Sequence, residues 1–170
     1  RDEELDNLHS VYVDQWDWEK VIAPRDRTVE YLQQTVCTIV AAMRETQTTL
    51  RSVFPQLTPL PLLEEEVSFV TTQELEDRWP DLSPKEREDA WVKDHPVTFL
   101  MGIGGKLKSG KPHDGRAPDY DDWTLNGDIL AWNSVLGRAF ELSSMGIRVD
   151  AAALDRQLTA SGCDERRALP

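Results

Sequence analysis

Between Asp128 and Val149 the chain sets Asp128, Asn133, Glu141, Ser143, Ser144 and Arg148 on an otherwise apolar background. Charged and hydroxyl groups on strands that read as buried need partners, because an unpaired charge in a core is costly. Asp128 and Glu141, on two adjacent antiparallel strands, are of the type that holds a magnesium ion through oxygen while the ion bridges nucleotide phosphates, and Arg148 could fork onto a carboxylate. A structural Glu141–Arg148 ion pair fits the same spacing equally well. Parity complicates the first reading. Glu141 and Ser143 fall on one face, Ser144 and Arg148 on the other, so a common site needs a bulge, for which Gly146 is the natural place.

Near the other end, Gln15 and Asp17 share one parity, flanked by Trp16 and Trp18 on the other. They are either site residues or the solvent-facing side of a half-buried strand, and the indoles read as packing surface. The run Gly105-Lys106-Leu107-Lys108-Ser109-Gly110-Lys111 matches the start of a phosphate-binding Walker loop. It fails at Pro112, which supplies neither the hydroxyl for magnesium nor a backbone N–H, so a polar hairpin tip is expected. His9, His95 and His113 lack metal-ligand spacing, and Asp114, Asp119, Asp121 and Asp122 lack the pattern of a calcium loop. Cys37 and Cys163 suggest neither a zinc site nor a disulfide framework.

The elements that must position these groups follow from periodicity. Alternation over Leu8–Trp18 predicts a strand. Three- and four-residue spacing of Val29, Leu32, Val36, Ile39, Val40, Met43 and Leu50 predicts an amphipathic helix over Asp26–Val53, lying on a sheet and stopped by Pro55. A short strand over Val67–Val70 leads into two helices, announced by capping boxes at Thr71/Glu74 and at Ser83/Glu86 with Pro84 at the first helical position. Val97–Ile103 reads as a strand, Ser109-Gly110 as a tight turn, and Arg116–Trp123 as an acidic loop. Strands over Asp128–Val135 and Ala139–Val149 follow, then a helix over Asp150–Leu158 capped by Asp150. Most strand neighbours are too close for a helical crossover. The expected fold class is therefore α+β, an antiparallel sheet flanked by helices, in one domain over residues 1–170.

With 31 acidic against 19 basic residues and a net charge of -12, the chain carries no nucleic-acid footprint and does not suit a membrane surface. Its apolar runs are too short to span a bilayer. A reducing cytoplasm is the expected home. A start at Arg1 without methionine predicts part of a longer protein.

Taken together, several blocks resemble the A-type, ammonia-dependent asparagine synthetase family (aspartate–ammonia ligase). They are the run from Leu8 to Glu19, Gly102-Ile103-Gly104-Gly105-Lys106-Leu107, His113-Asp114 with the run from Arg116 to Trp123, the run from Leu125 to Leu130, and the run from Phe140 to Asp150. They occur in the family's order and cover nearly the whole chain. The resemblance implies a class II aminoacyl-tRNA synthetase-like catalytic fold, a cytoplasmic homodimer, and synthesis of asparagine from aspartate, ammonia and ATP with Mg2+, through an aspartyl adenylate that releases AMP and pyrophosphate. It carries over Gln15 and Asp17 as aspartate-site residues, and Ser10, with His9, as groups near the nucleotide. Arg116 and Asp121 fall in the loop that closes over the reacting centre, Asp121 attracting ammonium. Asp128 and Glu141 become magnesium and nucleotide ligands, Ser144 a substrate or nucleotide contact, and Arg148 the fork on the aspartate carboxylate. The family also implies a Lys, an Asp and an α-phosphate Arg upstream, a nucleotide-binding Arg downstream, and a longer loop between Trp123 and Leu125. A non-catalytic adenylate-fold paralogue is the alternative. An aspartyl-tRNA synthetase core would bring an anticodon-binding domain and a basic surface, and neither is visible.

Overall fold

The computed structural model describes residues 11, 12, 14 and 17–168. Helix α1 (Val29–Val53) opens on Thr28, whose hydroxyl accepts the Tyr31 N–H. It lays Leu32, Val36 and Val40 on the sheet, against Val97, Phe99, Ile129 and Ile147. Beyond the sheet, Gln47 accepts the Leu63 N–H at 2.8 Å and so ties the returning chain to the helix.

Strand β1 (Ser68–Thr71) runs into α2 (Thr72–Arg78), and α3 (Pro84–Val92) follows. Both predicted capping boxes form, each with its reciprocal bond from the N-cap backbone N–H to a glutamate, 2.8 Å for Thr71 to Glu74 and 2.8 Å for Ser83 to Glu86. Buried Arg87 locks the two helices together by donating to the carbonyls of Trp79 and Pro80 at 2.9 and 3.0 Å. Strand β2 (Val97–Met101) comes next, then β3 (Asp121–Asn133), β4 (Arg138–Arg148) and α4 (Ala151–Ser161). Asp150 caps α4 as expected, accepting the Ala153 N–H at 2.7 Å.

The sheet has the order β1-β2-β3-β4. It is mixed rather than antiparallel, which corrects the expectation: β1 pairs parallel with β2, while β2–β3 and β3–β4 are antiparallel. The reason is the connection. Two helices separate β1 from β2, enough chain to cross over and return in the same direction. One face of the sheet lies under α1, and the other packs Val70, Leu100 and Leu130 against Leu75, Val92 and Ile103.

The strand predicted over Leu8–Trp18 is a second correction for the part that is described. Val11 and Tyr12 form a bend, and Asp14, Asp17 and Trp18 belong to no element. Alternation makes a strand only where a neighbour completes the ladder. The segment that follows packs instead over the start of α1, with Ile22 on the core and the Lys20 ammonium 5.1 Å from the Tyr31 ring centre. Trp18, read as packing surface, is 54% exposed. No helix among the described residues is long and apolar enough to cross a membrane.

Candidate functional site

The β3–β4 pair carries the site, and its geometry turns on two irregularities. Ile129 pairs with Ser143 but Leu130 pairs with Glu141, so Leu142 is an extra residue. Its side chain joins the core under α1. That bulge moves Glu141 to the face that holds Asp128, whose partner is Ser144. The parity difficulty is thus resolved at Leu142 and not at Gly146. From Ser144 the strand alternates normally through Gly146, which places Arg148 on the same face, about 13 Å further along at 3.3 Å per residue.

The second irregularity lies on β3. Asn126 pairs with Gly146 and Asp121 with Arg148, so that residues 122–125 are set against Ile147 alone. The excess chain at residues 122–125 is held by its own side chains. Buried Asp122 accepts the Thr124 N–H at 3.0 Å and the Thr124 hydroxyl at 2.7 Å, and it pairs with Arg27 at 3.1 Å. Arg27 also donates to the Arg148 carbonyl. The segment between Trp123 and Leu125, where the resembled family has a longer loop, is here part of β3. The expected acidic loop correspondingly ends at Asp121, where β3 begins.

Gly146 has a separate duty. A Cβ there would lie 2.7 Å from the Asp121 Cγ and 2.8 Å from the Asn126 Cβ. Its absence lets Asp121 lie over β4 and reach Arg148, whose Nη1 donates to Asp121 Oδ1 at 2.6 Å while Nη2 donates to Glu19 at 2.8 Å. The structural Glu141–Arg148 ion pair is therefore not the arrangement found. Asp17, Trp18, Arg27, Tyr120, Ser144 and Arg148 are among the residues around a cavity of about 450 Å³ that opens beside the edge of β4.

Asp128 and Glu141 stand apart from that cavity. Asp128 is buried and ion-paired with Arg116, while Glu141 and Ser144 are exposed. Burial drives the Asp128 carboxyl up to about 6 and the charge of Glu141 adds to the rise, against the Arg116 guanidinium and the Ser144 hydroxyl. A buried carboxylate so raised is short of positive charge, and two carboxylates on adjacent strands form a hard oxygen donor set, which fits magnesium. Among the described residues no group of three or more His, Cys, Asp or Glu has the arrangement of a complete metal site.

The loop that delivers Arg116 is fixed at both ends. Gly104 has φ +111°, and a Cβ on it would meet the Trp123 indole at 2.5 Å and the Arg116 Cβ at 2.8 Å. His113 is buried, its Nε2 2.9 Å from Glu88, which also pairs with Lys85 at 3.0 Å. The Gly105–Lys111 run forms the expected hairpin tip: Lys106 pairs with Pro112, and Leu107 accepts the Gly110 N–H at 2.8 Å. The tip is tied to α2 through Ser109 Oγ on Glu76 at 2.7 Å and Lys108 on Asp77 at 2.6 Å.

Of the residues expected at the site, the structure brings Asp17, Asp121, Ser144 and Arg148 around one cavity, and Arg116, Asp128 and Glu141 into a charged cluster further along the same face. Ser10 and Gln15, with His9, lie outside the described residues. Sequence reasoning passed over Tyr120, Arg27 and Glu19. Tyr120 and Glu19 stand inside blocks that carry the resemblance, which was the available signal; Arg27 had none.

A family model described as aspartate-ammonia ligase matches residues 1–170. Curated relatives bearing the name aspartate–ammonia ligase include one from Clostridium tetani (strain Massachusetts / E88), 59% identical over 169 residues, which are 99% of this chain and 49% of the relative. Another, from Bacillus mycoides (strain KBAB4), is 57% identical over 167 residues, 98% of this chain and 50% of the relative. A third, from Bacillus cereus (strain B4264), is 58% identical over the same length, with the same coverage. The chain spans about half the length of the curated relatives it matches.

Proposed function

Since the chain belongs to the aspartate–ammonia ligase family, we propose that the protein it forms part of makes asparagine from aspartate, ammonia and ATP, releasing AMP and pyrophosphate. The observation that carries this reading is the bulge at Leu142, which gathers Asp128, Glu141, Ser144 and Arg148 on one sheet face. A carboxylate fork then stands at one end and an oxygen donor pair at the other, as a reaction joining an amino acid to a nucleotide requires.

A carboxylate is a poor electrophile. It must first attack the ATP α-phosphate, forming an acyl–phosphate anhydride whose AMP leaves readily when ammonia attacks the carbonyl. Both steps build negative charge, so the protein's task is positioning and charge stabilisation, with no covalent nucleophile needed. Arg148 takes the substrate carboxylate bidentately, and Asp17 faces the substrate ammonium. Asp121, 2.6 Å from the Arg148 Nη1, draws ammonium to a place beside the held substrate. Asp128 and Glu141 would hold the magnesium ion, which when bound supplies positive charge to the phosphate oxygens. Ser144 lies between the two ends, and Arg116, paired with Asp128, brings a further cation to the phosphates. A class II synthetase-like arrangement of the complete catalytic domain, a homodimer and a cytoplasmic location belong to the same reading.

The test is product analysis on the full-length protein with ATP, magnesium, aspartate and ammonium. AMP, pyrophosphate and asparagine in equal amounts are expected. ADP in place of AMP would overturn the adenylate route, and nucleotide binding without turnover would favour a non-catalytic paralogue.

A further inference from the structure

A guanidinium recognises a carboxylate in its own plane, so a fork works only if that plane is fixed. The Arg148 side chain is four bonds long and part exposed, and nothing in β4 alone fixes it. Its plane is set from outside. The Arg148 guanidinium carbon lies over the Tyr120 ring, 3.2 Å from its centre, a direct cation–π contact. The Tyr120 backbone is anchored beside that arginine, because its carbonyl accepts the Val149 N–H at 3.0 Å and the next residue, Asp121, pairs with Arg148 across the strands. Tyr120 is half exposed and lines the cavity, so its aromatic face has no core to fill.

We propose that Tyr120 is a positioning residue of this site: its ring, stacked on the Arg148 guanidinium, holds the fork in the plane in which it receives the substrate carboxylate. The edges of the fork fit this assignment. Nη1 is taken by Asp121 from within the sheet, whereas Nη2 is taken by Glu19, whose side chain is 75% exposed and free to yield to an incoming carboxylate. With the face stacked and one edge pinned, the arginine presents its second edge to the cavity at little further entropic cost. The inference rests on the reading of Arg148 as the carboxylate fork.

The experiment uses the full-length protein and measures the KM for aspartate and for ATP, together with calorimetric aspartate binding. Tyr120→Leu is expected to raise the aspartate KM and Kd about tenfold, the scale of a partly desolvated cation–π contact, and to leave the ATP KM within about twofold. Tyr120→Phe, which keeps the ring and removes only the hydroxyl, is expected to stay within about twofold of the parent in both. Tyr120→Met gives the same comparison should the leucine variant fail to fold. An unchanged aspartate KM in the leucine variant, an equal rise in both KM values, or a phenylalanine variant as impaired as leucine would each overturn the assignment. Arg148→Lys separates this from the underlying reading. If that variant binds aspartate normally, the fork itself is wrong; if it loses aspartate while Tyr120→Leu does not, only the role of Tyr120 fails.

Discussion

Strands β3 and β4 present two faces built to opposite rules. Toward α1 they offer Ile129 and Ile147, which with Val97 and Phe99 of β2 meet Leu32, Val36 and Val40. All seven are 8% exposed or less, and their fit follows from plain alternation and helical spacing. On the reverse face the same strands carry Asp128, Glu141, Ser144 and Arg148, and there the order depends on an inserted residue, a missing Cβ and a cluster of charges. The first face gains free energy by excluding water. The second keeps a carboxylate buried at a cost, as the rise of Asp128 to about 6 records. One strand pair can serve both ends because a bulge reassigns faces locally while the apolar side absorbs the extra residue, Leu142, into its core.

The contrast can be broken at its strongest point first. Phe99 is fully buried under α1, in edge-on contact with Phe69 at 6.3 Å between ring centres. Phe99→Ala is expected to cost about 3–5 kcal/mol of stability in denaturant unfolding of the full-length protein. A loss below about 1 kcal/mol would mean that this face is not where the fold is held.

Asp128→Asn should act in the opposite sense on stability while removing function. Turnover is expected to fall about 100-fold or more, since the substitution removes one of the two carboxylates proposed to hold magnesium. Stability at pH 8 should rise by about 1–3 kcal/mol, because the folded state no longer holds an ionised group that burial disfavours. The sign follows from the proton count. The Asp128 carboxyl titrates near 6 when folded and near 3.8 when unfolded, so between these values the folded state binds more protons and the parent gains stability as pH falls. The advantage of the variant should therefore shrink below pH 6 and vanish near pH 4. A variant less stable than its parent at pH 8 would put Asp128 with the structural face.

Local signals were legible in the sequence wherever one residue closes its own hydrogen bonds. Thr71, Ser83 and Asp150 cap their helices as their spacing requires, and of the residues that periodicity marks on α1 the helix buries Leu32, Val36 and Val40 while Val29 and Leu50 stay exposed. What depends on a neighbour's register was not legible. The direction of β1 relative to β2 is set by the path of two intervening helices. The position of the bulge depends on which residue the α1 core can accept, and alternation within β4 is silent on that. Alternation over Leu8–Trp18 was read as a strand, although Val11, Tyr12, Asp14, Asp17 and Trp18, its described part, belong to none. The candidate residues of the proposed site came from residue type in β3 and β4 and from the resemblance elsewhere, and Tyr120 was not among them, because a ring packed over an arginine 28 positions on leaves no trace in local spacing.

Gly146 supplies the finest test, because glycine in a strand has two readings. One is a bulge, which lies elsewhere; the other is close approach of another chain, here Asp121 and Asn126. Asn126 cannot retreat, since its side chain accepts the Ile103 N–H and donates to the Ile103 carbonyl, both at 2.9 Å. Asp121 can give way, its Cγ by turning away from Arg148 and its Cβ, also 2.8 Å from the added methyl, by a shift of the strand end. Gly146→Ala should therefore act through Asp121, raising the aspartate KM about fivefold, the equivalent of about 1 kcal/mol, with a comparable loss of stability. In an Asp121→Gly background the added methyl meets neither the Cβ nor the Cγ of residue 121, and the same substitution should cost appreciably less in both measurements. Equal costs in the two backgrounds would place the strain on Asn126 and the Ile103 turn, and Gly146 would then belong to the scaffold under the site and not to the site.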